Sequence, residues 1–185
     1  MGDATKTTEE RLREVTIGEP QRIDGPIRLA EADPRWPLLF AREAGRIRAA
    51  LGADALLVEH VGSTAVPGLA AKPILDIVLA VADAADEAAW LPRLEAAGYV
   101  LRLREPDWLE HRLVKGPETD LNLHVFSAGC PEIDRMIAFR DRLRADAAAR
   151  AAYEAKKREL AARSWRWVQE YADAKSAIVA AILGG

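Results

Sequence analysis

The sequence predicts an α/β (α+β) protein, a mixed β-sheet flanked by helices with a helical C-terminal part. Three observations carry this. Short apolar runs rich in strand formers, Leu56 to Val61 and Ile74 to Val81, alternate with helical stretches. Three further strand candidates follow one another over Tyr99–Arg104, Trp108–Val114 and Asp120–Phe126. The remainder, from Pro131 to Leu183, reads as helix. Runs of strands beside runs of helices give helices packed on a sheet.

Residues Met1 to about Gly25 lack periodicity and are read as a flexible tail, ahead of one domain over 26–185. Asp33-Pro34-Arg35-Trp36-Pro37 opens a helix, with Asp33 in the capping position and prolines in the first turn. That helix runs through Leu39, Phe40 and Ile47 and stops at Gly52. Two Pro and two Gly between Gly62 and Pro73 make a structured loop between the first two strands. Ile74 to Val81 is apolar except for Asp76, a strand with one carboxylate inside it. Asp83 to Ala97 is helical and Gly98 closes it. In the C-terminal part, Ser164 is placed to cap a second long helix.

The chain has 185 residues, 50% hydrophobic and 30% charged, a globular balance. No apolar run approaches the 18 residues of a membrane span, and the first residues hold no apolar leader segment. Net charge is −3, which argues against a duplex-binding protein, since phosphate contacts need a concentrated basic face. Cys130 is alone, so an intrachain disulfide and a four-Cys zinc site are excluded. These readings give a cytoplasmic protein with no nucleic-acid or membrane partner. The oligomeric state stays open. Arg- and Ala-rich, Lys-poor usage suits a high-GC bacterium.

The chemistry concentrates between Glu59 and Asp76. A glycine after a strand lets backbone approach a ligand closely, and free N–H groups with the Ser63 and Thr64 hydroxyls can cradle phosphate oxygens. An ionised Asp76 among apolar neighbours requires a partner or a cation. Mg²⁺ takes few carboxylates plus substrate phosphates, which suits one acid beside such a loop. His60 and His124 lie on the flanking strands and are candidate ligands, whereas His111 beside Arg112 reads as a surface residue. Arg112 and Lys115 are separated by three, so they point to opposite sides of a strand, and either is a candidate to face a phosphate. Arg140, Arg142 and Arg144 are interleaved with acids and read as a solvated face.

Tyr153 with Lys157, and Tyr171 with Lys175, are each i,i+4 pairs on one helix face. A bend near Ser164 would let both lysine tips converge on one pocket. The chain has 20 Arg and six Lys, so lysines at these places and at Lys72 suit sites that take a compact point charge.

Glu59-His60-Val61-Gly62-Ser63-Thr64-Ala65-Val66-Pro67-Gly68-Leu69, followed by Lys72-Pro73-Ile74-Leu75-Asp76-Ile77, resembles the GrpB family of the nucleotidyltransferase superfamily. Asp33-Pro34-Arg35-Trp36, Leu123-His124-Val125, Ala138-Phe139-Arg140-Asp141 and the two Tyr-x-x-x-Lys pairs extend the resemblance from about Ile27 to Leu183. It implies a nucleotidyltransferase-like sheet and metal-assisted transfer of a nucleotidyl group from an NTP to a small-molecule acceptor. Asp76 would hold Mg²⁺ or another divalent metal, with His60 or His124 as further ligands. Gly62, Ser63, Thr64, Lys72, Arg112, Tyr153, Lys157, Tyr171 and Lys175 would bind substrate, and His124 or Glu59 would act as base. One departure stands out: the superfamily's second carboxylate falls two residues after Asp76, where this chain has Val78. Asp120 and Asn122 are the other nearby donors. Val78 favours a rival reading, a non-catalytic module that binds a nucleotide, a coenzyme-A-like molecule or another phosphate ligand. A third reading is an enzyme of another class built on a His60–Asp76–His124 metal cluster.

Overall fold

The computed structural model describes residues 6–184. Helix α1 (Thr8–Val15) and strand β1 (Arg22–Gly25) come first, then α2 (Trp36–Leu51), β2 (Leu57–Val61), β3 (Leu75–Val81) and α3 (Glu87–Ala96). Strands β4 (Val100–Glu105), β5 (His111–Lys115) and β6 (Leu121–Ser127) follow, then α4 (Pro131–Ala145) and α5 (Ala147–Ala161). Strand β7 (Trp165–Trp167), α6 (Val168–Asp173) and α7 (Ser176–Gly184) end the chain. The main sheet has the order β2-β3-β6-β5-β4. Only β3 and β6 run parallel in it, so the sheet is mixed, as expected.

The two faces of this sheet differ in chemistry because strand side chains alternate. Ile77 and Leu79 of β3, with Leu123 and Val125 of β6, point to one face and are fully buried. They pack under Ile47 and Leu51 of α2 and Trp90 and Leu94 of α3. Each such side chain contributes about 1.5–3 kcal/mol on burial, so Leu94→Ala would remove about 2–5 kcal/mol. On the other face Val61, Val78, Ala80 and Phe126 meet Ile133 of α4 in a smaller apolar cluster. That cluster covers only the C-terminal half of β3. The N-terminal half, with Asp76, is left open to a cleft.

Two expectations are corrected. Residues 8–25 are not a tail without regular structure. Thr7 accepts from the Glu10 backbone and Glu10 returns to Thr7, a capping box that starts α1. Ile17 donates to the Arg102 carbonyl at 2.8 Å, and β1 pairs antiparallel with β7. Residues 1–5 of the expected tail lie outside the described residues. The C-terminal part is also not helix throughout. Asp146 caps α5 by accepting from Ala148 and Ala149, and Ser164 precedes a strand instead of capping a helix. The tryptophans at 165 and 167 form that strand because β1 offers an edge to pair with. Trp108, expected in a strand, lies in the β4–β5 turn, where Leu109 and Glu110 adopt φ of 56° and 53°.

Candidate functional site

The cleft on the open face has a volume of about 650 Å³. Its floor is β3, β6 and β5, and its walls are the Gly62–Ala71 loop and helices α5 and α6. Register determines which side chains enter. Asp76 pairs with Asn122, and Val78 with His124, across the parallel strands, so all four share one face. Leu113 opposite His124 puts alternate residues of β5, His111 and Lys115, on that face as well.

Asp76 is the centre of this site. Its Oδ1 accepts from Asn122 Nδ2 at 2.9 Å and lies 3.5 Å from His124 Nε2. Burial pushes the carboxyl up, but His124, Asn122 and the Lys175 ammonium outweigh it and hold the group below its ordinary value. Gly62 is required by the same carboxylate. A Cβ there would stand 2.5 Å from Asp76 Oδ2 and 2.9 Å from Asp76 Cβ, and its φ is +68°. The glycine turn and the acid are therefore one geometric unit. The loop itself is braced from α4: Arg140 donates to the His60 carbonyl at 2.8 Å, and Arg144 donates twice to the Ala65 carbonyl. The reading of these arginines as a solvated face is corrected for Arg140, which is buried.

The bend between α5 and α6 brings both Tyr-x-x-x-Lys turns to the cleft, but the four side chains divide their roles. Lys157 is buried and donates to Ser63 Oγ at 3.1 Å and to the Ala70 carbonyl. Burial, then the charge of Lys175, pushes it down to about 7. Tyr153 packs on Phe139 and lies against Ser63, away from the cleft lining. Lys175 sits over the Tyr171 ring at 4.4 Å and faces Asp76; burial pushes it down to about 8. The Tyr171 hydroxyl is buried with no hydrogen-bond partner among the described residues. Lys72 lines the cleft and is lowered by burial.

Besides Tyr153, three expected site residues are not brought into the cleft with Asp76. His60 pairs with Ile77 and points to the opposite face, stacked on Phe40 and 3.0 Å from Thr64 Oγ1. Burial pushes it down to about 4, so it is a neutral packed imidazole, and the His60–Asp76–His124 cluster is not formed. Arg112 also points away, ion-paired to Glu87 at 2.7 Å on α3; Lys115 is the member of that pair in the cleft. Glu59 shares a face with Val78 but is held by Arg140 at 2.6 Å and does not line the cleft. Among the described residues no group of three or more His, Cys, Asp or Glu side chains is arranged to share one ion. Val78 is fully buried in the apolar cluster, so the position of a second strand acid is filled by packing.

Sequence reasoning missed two residues. His111, read as exposed, is buried beneath Trp108 and stacked on Phe126. Its Nε2 lies 3.1 Å from His124 Nδ1, and its Nδ1 lies 2.6 Å from Glu105 Oε2. Only the pairing of β5 with β6 places it there, and no local signal carries that register.

A family model for the GrpB protein matches residues 26–184. The chain belongs to the GrpB family. A UPF0157 protein of Halalkalibacterium halodurans is 60% identical over 181 residues, covering 98% of this chain and 93% of that one. The crystal structure of the conserved protein GrpB from Enterococcus faecalis superposes with a TM-score of 0.69 at 31% identity, covering 85% of this chain and 95% of that one. A dephospho-CoA kinase of Mycolicibacterium paratuberculosis is 37% identical over 161 residues, covering 72% of this chain and 39% of the kinase. The GrpB match spans the loop, Asp76 and both Tyr-x-x-x-Lys turns. No helix of the described residues is long and apolar enough to cross a membrane.

Proposed function

We propose that this GrpB protein is a divalent-cation-dependent nucleotidyltransferase that moves a nucleotidyl group from an NTP to a small-molecule acceptor. The observation that carries this is the convergence of Gly62, Ser63, Asp76, Tyr171 and Lys175 on one cleft. Its donor set suits a cation bound mainly by the ligand. Asp76 and His124 supply one oxygen and one nitrogen, and phosphate oxygens would complete the shell. Bound there, Mg²⁺ or another divalent ion would neutralise charge developing on the phosphates.

The chain's own residues then position the reactants. Ser63 and the backbone of the Gly62 turn cradle phosphate oxygens, with Lys157 holding Ser63 in place. Lys175 and Lys72 balance phosphate charge, and Tyr171 offers its free hydroxyl. In the transfer the acceptor oxygen bonds to the α-phosphorus and the bond to pyrophosphate breaks. Pyrophosphate leaves, and the acceptor's proton passes to solvent through the open cleft.

Calorimetric titration with the four NTPs, with and without Mg²⁺, tests this beside Asp76→Ala. Cation-dependent binding lost in the variant is expected. Absence of binding to every NTP would overturn the reading.

A second reading is a phosphate-ligand module without turnover. The burial of Val78 favours it, because the strand then offers a single acid. The similarity to a dephospho-CoA kinase supports a coenzyme-A-like ligand for it. Tight binding of dephospho-CoA with no NTP binding would select this reading.

A further inference from the structure

The main cleft continues past Lys72 into a second cavity of about 430 Å³, and Lys72, Ile74 and Lys115 line both. Backbone pairing builds this annex. Ala30 and Ala71 exchange hydrogen bonds at 2.8 and 2.9 Å, an antiparallel bridge that lays the segment before α2 alongside the end of the loop that leads into β3. Arg28 is thereby brought to the same cavity as Lys72 and Pro73. Ile23, Ile27 and Val168 form its apolar wall, and Val168 is exposed there. Among the described residues Asp120 is the only acid in the lining, and it lies 3.3 Å from Lys115 Nζ.

Charge in this region is left unanswered by the protein. Arg28, Lys72, Arg102 and Lys175 are the basic side chains that make neither a hydrogen bond nor an ion pair among the described residues, and all four line the cleft or the annex. Cations gathered without counter-charges in a concave site attract an anion. Lys175 lies in the cleft alone, Arg28 in the annex alone, and Lys72 at the junction. Asp120 answers Lys115, so Arg28 and Lys72 give the annex an excess of positive charge. A phosphate monoester carries about two negative charges at pH 7, more than the single charge of a carboxylate, and a guanidinium fork matches its oxygens in pairs. The apolar wall beside these cations suits a ligand with an apolar body and an anionic head.

We propose that the annex binds the acceptor, and that the acceptor is a hydroxyl-bearing phosphate monoester whose phosphate lies between Arg28 and Lys72 and whose apolar body rests on Ile23, Ile27 and Val168. Because Ile74 lines both cavities, an acceptor anchored in the annex extends its hydroxyl past Ile74 toward the cleft that holds Asp76. The hydroxyl oxygen bonds to the α-phosphorus, the bond to pyrophosphate breaks, and the hydroxyl proton passes to solvent. The acceptor's own phosphate takes no part in the bond changes. It fixes position, and fixing position is worth rate. This rests on the transferase reading and names the acceptor class for it.

The experiment is calorimetric titration of the purified protein with phenyl phosphate, in wild type and Arg28→Ala, with and without each NTP and Mg²⁺ at saturation. Phenyl phosphate has an apolar body and no hydroxyl to react. Arg28 is exposed and its side chain holds no partner among the described residues, so its loss leaves folding intact, and thermal melts check this. Phenyl phosphate is expected to bind the NTP-saturated protein and to bind Arg28→Ala about tenfold more weakly, the worth of one charge-assisted contact, with NTP affinity unchanged. Benzoate, with the same body and one charge, should bind at least tenfold more weakly than phenyl phosphate. Displacement of phenyl phosphate by NTP, equal affinity in Arg28→Ala, or no binding would overturn this inference and leave the transferase reading standing. Benzoate binding as tightly as phenyl phosphate would overturn the choice of a phosphate. Phenyl phosphate binding that depends on Arg28, with no binding of any NTP, would overturn the transferase reading and keep the annex as a phosphate site.

Discussion

The turn Tyr153–Lys157 and the turn Tyr171–Lys175 have the same spacing, the same two residue types and the same cation-over-ring contact. They differ in what surrounds the lysine. Lys157 is enclosed by the loop it holds, bonded to Ser63 and to the Ala70 carbonyl. Lys175 is turned toward Asp76. Tyr153 is likewise absorbed into packing with Leu143 and Ile182, while the Tyr171 hydroxyl has no partner among the described residues. A repeated local pattern has been spent once on scaffolding and once on the cleft. What decides is the tertiary neighbour: α5 lies against the Gly62–Ala71 loop, and α6 lies across the cleft from it.

The largest effect should come from the loop that the first turn supports. Gly62→Ala places a methyl 2.5 Å from Asp76 Oδ2 at a φ of +68°. Strain and overpacking together should cost about 4 kcal/mol. For a chain of this length that lowers Tm by about 8–16 °C. Phosphate-ligand binding should disappear with it. A Gly62→Ala variant that melts like wild type would separate the loop from Asp76.

Next come the lysines, whose variants should diverge. Lys157→Ala leaves the Ala70 carbonyl and Ser63 without their donor and should destabilise the protein by about 3 kcal/mol. Lys175→Ala should leave Tm unchanged or higher and weaken triphosphate binding about 10–100-fold, the worth of one charge-assisted contact. Thermal melts and calorimetry on both variants check this. Equal losses of stability in the two would erase the distinction drawn between the turns.

These divisions explain how much the sequence reveals. Gly62, Ser63 and Asp76 are legible because a glycine-hydroxyl turn before a strand with one acid is a local pattern with a local reason. The two lysine pairs are legible as pairs because i,i+4 spacing needs only a helix. Their division of labour is not, since it depends on which loop each helix meets. His111 and Glu105 escaped for a related reason. They reach His124 through the pairing of β4, β5 and β6, and a one-residue slip in that register would turn His111 to the opposite face. For Arg112 the alternation was readable but the buried side was not, because Glu87 arrives from α3. The N-terminal strand was missed because its partner lies some 140 residues on, at Trp165–Trp167.

Proton linkage sharpens the same contrast at intermediate size. Burial lowers Lys175 from 10.5 to about 8, so between those values the unfolded chain binds more protons than the folded one. This group therefore makes the ligand-free protein more stable as pH rises through that window. Ligand binding runs the other way. A phosphate needs the ammonium form, so affinity should fall above pH 8, by up to about tenfold per unit for one coupled proton. Calorimetry from pH 7 to 9.5 should show this, and Lys175→Arg should flatten the profile, since a guanidinium keeps its charge. An unchanged slope in Lys175→Arg would move the titrating contact elsewhere.

The smallest effect discriminates most finely, because its two readouts should have opposite signs. Tyr171 is buried, its hydroxyl has no partner among the described residues, and a buried hydroxyl lacking a hydrogen bond costs about 1–3 kcal/mol. Tyr171→Phe removes that cost while keeping the ring beneath Lys175 and beside Trp165. The ligand-free variant should melt about 2–4 °C higher for each kcal/mol gained. If the hydroxyl's partner is the bound phosphate ligand, the same change should weaken binding about fivefold. Tyr153→Phe should do neither, because the Tyr153 hydroxyl already has Ser63 as its partner and does not line the cleft. Higher stability with weaker binding is not a pattern that packing alone produces. Its appearance at Tyr171 and absence at Tyr153 would establish that the two turns serve different ends.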